Sequence, residues 1–193
     1  MIAPTDAAKK VWTEAELQSL PENGFIHEVV DGELVMSPKN NFEHENIFTR
    51  LMPALADFNR KHRLGVVRGS SAGYWMRNQN CRAPDISFIP KARLESLGFK
   101  PASRSFFPGA PDLAVEILSP SNTRSEIDKR LKDFFASGTQ IAWIINPDAE
   151  CVEVCHSLTE RGLIGSGGFL DGENLLPGFR YPIADLFKEW DWE

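Results

Sequence analysis

The sequence predicts an α/β domain, a mixed β-sheet flanked by helices, and three observations carry that prediction. The run PDLAVEILSP is short, apolar and bounded by prolines, as a strand buried on both faces is. Thr123-Arg-Ser-Glu126 then forms a capping box, opening a helix whose Ile127, Leu131, Phe134 and Phe135 make one stripe before Gly138. A second apolar run, QIAWIINP, follows. Strand, helix and strand over residues 111–146 form a crossover unit, so part of the sheet is expected to be parallel.

The other elements follow in order. WTEAELQSL, with Thr13 three residues ahead of Glu16, reads as a short capped helix. FIHEVVDGELVMSP alternates and breaks at Asp31-Gly32, a strong hairpin signal. Phe48, Leu51, Leu55 and Phe58 recur at helical steps and predict a helix over residues 42–58. LGVVRG, AGYWMR and APDISFIP read as strands, residues 91–110 as a loop or short helix, and QIAWIINP and CVEVCH as two strands split by a Pro147-Asp148 turn.

The chain has 193 residues, 42% hydrophobic and 25% charged, which suits one globular domain with its core over residues 25–182. No run approaches the about 20 apolar residues of a membrane span, and residues 1–11 hold Asp6, Lys9 and Lys10 where a signal core would be apolar. The expectation is a cytoplasmic protein. Cys81, Cys151 and Cys155 cannot all pair and have no zinc-site spacing; they read as small core residues.

The net charge of −6 conceals a segregation. Residues 60–132 hold 14 Lys and Arg against six carboxylates, an excess of eight, so the ends together carry −14. A polyanion would be drawn to that middle region alone.

Asp85 and Glu116 lie within runs that read as buried strand. An ionised carboxylate buried alone costs several kcal/mol, so each needs a cation, a metal or a raised pKa. Asp112 shares a strand face with Glu116, but four residues separate them by roughly 13 Å, too far for one ion. The partner must come from another strand, and Asp85 is the available carboxylate. Oxygen-only ligation suits Mg²⁺ or Mn²⁺ and leaves places for water and a phosphate oxygen. His44 shares the helical face of Phe48, Leu51 and Leu55 and points inward or to the rim of the core; it is a weaker catalytic candidate, set against a hydrogen-bonded core histidine. Ser119 and Ser121 read as turn and helix-entry residues.

RAPDISFIP, PDLAVEILSPSN, EIDKRLKDFFASG and IAWIINPDAECVEV, with the earlier EVVDGELVMSP and EHEN, resemble the Uma-type restriction endonuclease family, a branch of the PD-(D/E)XK nuclease superfamily. The resemblance runs over residues 25–182. It implies a restriction-endonuclease-like core, with Asp85 and Glu116 as metal-binding acids and DNA as substrate. The sequence departs from the superfamily pattern at Leu118, where a lysine normally stands two residues after the second acid. The resemblance implies a substitute on the next helix, where Lys129 and Arg130 stand beside Lys132. Glu28 matches a position in the family's opening strand and could orient a water or the metal, though an exposed hairpin carboxylate fits the residues equally well. The Ile117 carbonyl is the third candidate ligand.

The expected function is a metal-dependent endonuclease hydrolysing DNA phosphodiesters. Two alternatives stay open: an inactive nucleic-acid-binding module that keeps the fold, and an interaction protein with the acids in salt bridges. Phe187, Trp190 and Trp192 suggest packing on a second copy, a two-fold homodimer being the commonest assembly.

Overall fold

The computed structural model describes residues 10–21, 24–37 and 40–189. Helix α1 (Glu14–Gln18) begins at the expected capping box: the Thr13 hydroxyl accepts from the Glu16 N–H at 3.2 Å, and the Glu16 carboxylate accepts from the Thr13 N–H at 2.8 Å. Strands β1 (Ile26–Val30) and β2 (Glu33–Ser37) form the expected hairpin. Asp31 and Gly32 both take positive φ, 52° and 84°, which the tight two-residue turn requires.

Helix α2 runs Phe42–His62, one turn beyond the expected end. The extra turn is held by tertiary contacts: Asn59 is buried and donates to the Gly65 carbonyl, and the Phe58 ring packs on His62 and edge-on to Phe179. Arg63 closes the helix in the left-handed conformation. Next come β3 (Gly65–Gly69), two-residue strands β4 (Tyr74–Trp75) and β5 (Cys81–Arg82), β6 (Ile86–Pro90), helix α3 (Lys91–Ser96) and β7 (Phe107–Pro108). Residues 91–110 thus hold a short helix and a strand, and Asp85 stands one residue ahead of its strand. The chain continues through β8 (Leu113–Ile117), α4 (Arg124–Ser137), β9 (Ile141–Asn146), β10 (Cys151–Cys155), β11 (Arg161–Gly165), β12 (Phe169–Asp171), β13 (Arg180–Pro182) and a 3₁₀ turn at Ile183–Leu186.

The main sheet has six strands in the order β11-β10-β9-β8-β6-β3. Its β8 and β9 are parallel, joined by α4 as the crossover unit required, and its other pairs are antiparallel. A second mixed sheet has the order β2-β1-β5-β4-β7, and β12 pairs with β13. The pleat divides the main sheet's side chains between two layers. Leu113, Val115, Ile117, Trp143 and Ile145 pack with Ile47, Leu51 and Leu55 of α2. On the opposite face, Ala142 and Ile144 meet Ile127 and Leu131 of α4, while Ala114 meets Phe134.

The three cysteines are free and buried, as expected of core residues. Phe187 packs partly buried against its own chain's core; Trp190 and Trp192 lie outside the described residues. Among the described residues, no helix is long and apolar enough to cross a membrane.

Candidate active site

The central strands β6 and β8 are antiparallel, with Ile86 paired to Val115 as the last rung of their ladder. One step further, Asp85 falls opposite Glu116, so the two acids come from neighbouring strands at one end of the sheet. Both line a cavity of about 350 Å³ with Glu28, His44, Ile117 and Arg130. The cavity also reaches Asn41, which caps α2, and the Ser119–Asn122 turn leading into α4.

Each acid is oriented on one oxygen. Asp85 Oδ2 accepts from the Ile117 N–H at 2.8 Å and lies 3.1 Å from His44 Nε2. Glu116 Oε1 accepts from Arg130 Nη1 at 3.1 Å. Asp85 Oδ1 and Glu116 Oε2 make no bond to any described residue. Arg130 also grips Glu28 with both ends of its fork, at 2.9 and 2.7 Å, and Glu28 takes the Ala83 N–H at 2.8 Å. Glu28 is 1% exposed, which overturns the reading of it as an exposed hairpin carboxylate.

Behind Glu28 stands a layer the sequence reading missed. Arg82 lies 3.5 Å from Glu28 and binds Asp133 through Nε and Nη2 at 2.8 and 2.7 Å. Asn78 and Asn80 donate to the same carboxylate at 2.7 and 2.9 Å. The signal was there: in NQNCR the polar residues 78, 80 and 82 recur every second position, as on one face of an extended segment.

Four carboxylates, Glu28, Asp85, Glu116 and Asp133, therefore face two guanidiniums, Arg82 and Arg130; fully ionised they would exceed them by two negative charges, and Glu116 relieves part of that excess by keeping its proton. Burial is the largest influence on Glu116 and pushes its carboxyl up to about 8; Arg130 pulls it down, while Asp85 and Glu28 push it further up. Burial works against the Arg130 charge, but Glu116 and Glu28 outweigh it and hold the guanidinium above its ordinary value.

The residues present fit a small divalent cation. It would take the place of the Glu116 proton, offset the excess of carboxylates and find two carboxylate oxygens that make no ion pair with a described residue. Mg²⁺ keeps several waters and needs only one or two protein carboxylates. That matters here, because among the described residues no group of three or more His, Cys, Asp or Glu is arranged as a full metal cage.

The structure thus brings together Asp85, Glu116, Ile117, Glu28, His44 and Arg130. Lys129 is exposed and does not line the cavity. Leu118 turns into an apolar cluster with Ile127, Leu131 and Ile144. Asp112 is held elsewhere, by Arg93 at 2.7 Å and Gln140 at 2.8 Å. Ser119 and Ser121 bond to each other at 3.0 Å within their turn.

A family profile described as "Uma2: Putative restriction endonuclease" matches residues 14–184. The chain belongs to this family. A crystal structure described as that of a putative nuclease belonging to DUF820, from Anabaena variabilis ATCC 29413, has the same fold as this Uma2 protein. The TM-score is 0.76 over 91% of this chain and 97% of that one, at 22% identity. No curated protein matches the sequence. In this Uma2 chain the position of the usual nuclease lysine is apolar, and among the described residues the cation paired with the second acid is Arg130 on α4.

Proposed function

We propose that this protein is a Mg²⁺- or Mn²⁺-dependent endonuclease that hydrolyses DNA phosphodiesters, with Asp85 and Glu116 holding the ion. The observation that carries this reading is the meeting of two buried acids, one on β8 and one at the start of β6, in a cavity where carboxylates outnumber guanidiniums. The Ile117 carbonyl is proposed as a third ligand. When bound, the ion would activate a water and offset charge on the phosphate oxygens.

The chain's own groups do the positioning. The His44 ring and the Ile117 N–H fix Asp85 through one oxygen and turn the other toward the cavity. Arg130 steadies Glu116 and provides a permanent positive charge for a phosphate leaving with extra negative charge. It cannot accept a proton, so it takes only half of the usual lysine's part, and Lys129 is not needed for it. Glu28 holds Arg130 in register. The N-termini of α2 and α4 both open toward the cavity, where their positive ends favour a phosphate. Phe42, which follows the lining residue Asn41 in the first turn of α2, is 96% exposed and offers a ring on which a base can stack.

Plasmid DNA incubated with purified protein and Mn²⁺ should be nicked, and Asp85→Asn or Glu116→Gln should abolish nicking with the fold retained by circular dichroism. Cleavage that persists undiminished in both variants sinks the proposal. A second reading, binding without cleavage, is favoured by one observation: Arg130 is bonded to Glu116, and among the described residues no lysine lines the cavity. DNA bound by wild type but never cut, in Mg²⁺ or Mn²⁺, would establish it.

A further inference from the structure

The acids' cavity is not where the chain's positive excess lies. Among the cations of residues 60–132, Arg82, Arg93, Arg124 and Arg130 are tied to carboxylates within 3.5 Å. Five others gather along the outer edge of β3, the end strand of the main sheet. Two adjoining cavities there, of about 370 and 470 Å³, share Val66, Arg68, Leu94 and Pro101. Between them they are lined by Arg60, Arg63, Arg68, Lys91 and Arg104, and among the described residues no carboxylate lines either.

Two of the five have only surface partners in neighbouring turns, Arg60 with Asp57 at 2.8 Å and Lys91 with Glu95 at 3.6 Å, contacts that water and salt screen. Arg68 donates to the backbone carbonyls of Val67 and Pro101, which holds its side chain along the groove while leaving its charge uncompensated. Arg63 and Arg104 are exposed, and neither side chain pairs with a described carboxylate. The Asn59 side chain also lines the groove; it is buried and its Oδ1 has no hydrogen-bond partner.

We infer that this groove along β3 is a second contact surface for DNA, engaging the phosphate backbone through Arg60, Arg63, Arg68, Lys91 and Arg104, apart from the acids' cavity. Gly65 and Gly69 both line the groove and Gly69 pairs with Ile86 next to Asp85, so the groove runs four residues along β3 from that rung to its far end. That is roughly 13 Å, or about four base-pair steps, a span one duplex covers. Such contacts set register and orientation without reading sequence. The division of labour is electrostatic: the acid cavity is negative and repels a bare phosphate backbone, and the groove offsets that repulsion. The inference rests on the reading of DNA as the substrate.

The test is fluorescence anisotropy with a labelled 20-base-pair duplex in EDTA, across a salt series. The variant Arg63→Gln/Arg104→Gln should bind about tenfold more weakly at moderate salt, and the slope of log affinity against log salt should become shallower by about 2. Arg63→Lys/Arg104→Lys should restore most of both, which excludes a folding defect, and millimolar inorganic phosphate should not displace the duplex. Equal affinity and slope in the Gln variant overturn the inference, as does wild type that binds no duplex. Displacement by inorganic phosphate also overturns it and assigns the groove to a free anion. Salt-dependent binding through the groove with no plasmid nicking by wild type would sink the nuclease reading and leave this one standing.

Discussion

Arg130 concentrates the energetics of the site in one side chain. It satisfies both oxygens of Glu28, which is almost wholly buried, and one of Glu116. Removing one partner of a buried ion pair strands the others, at a cost of about 3–5 kcal/mol. Arg130→Ala should therefore lower unfolding stability by that order in urea titration. Arg130→Lys should lower it less, because the charge survives and the two-pronged grip on Glu28 does not. A loss below about 1 kcal/mol for the alanine variant would mean that water satisfies Glu28 instead.

Glu116 gives the residue scale a pH signature. Its carboxyl is raised from 4.5 to about 8, so between those values the folded protein holds a proton that the unfolded chain has released. Stability must then fall as pH rises through that window. In EDTA, the melting temperature of Glu116→Gln relative to wild type should climb from pH 5 to pH 8. Parallel curves would contradict the shift. Phe42→Ala, by contrast, should leave melting unchanged and weaken DNA binding severalfold, since a ring 96% exposed contributes little to the core.

Elements place these residues through local codes of differing strength. Helix α4 carries Arg130 inward because Thr123 and Glu126 fix its first turn and Ile127, Leu131 and Phe134 fix its face. Thr123→Ala should cost about 1 kcal/mol, and a variant within experimental error of wild type would show that packing alone sets the helix start. The same locality made both capping boxes, the Asp31-Gly32 turn and the stop at Gly138 readable from sequence, because each signal sits within a few residues of its effect. Strands β4, β5 and β7 were unreadable or blurred at two residues each. Their existence depends on partners, such as Tyr74 beside Phe107 and Val29 beside Cys81, that are distant in the chain. The end of α2 was misplaced for the same reason, since Asn59 and Phe58 are held by Gly65 and Phe179.

At the scale of the whole molecule, the site joins two sheets. Glu28 comes from the small sheet, Asp85 and Glu116 from the strands of the main one or beside them, and Arg130 ties them together across 102 and 14 residues of sequence. Alternation and burial were enough to single out Asp85 and Glu116, because a charge inside an apolar run stands out. They could not reveal that Glu28 is buried or that Asp133 anchors Arg82, since those facts exist only once α4 has docked. The segregated charge was visible in the chain, yet its destination was not: the structure sends much of the excess to the β3 edge and leaves the acids' cavity negative.

Leu118 has a consequence for anyone attempting to rebuild the conventional nuclease motif here. A lysine at that half-buried position would begin among Ile127, Leu131 and Ile144, and to reach the acids its ammonium would have to swing toward the guanidinium already on Glu116. Repulsion between the two would penalise the graft, so the single substitution should impair the protein, and only a paired exchange that also neutralises residue 130 would give the newcomer room.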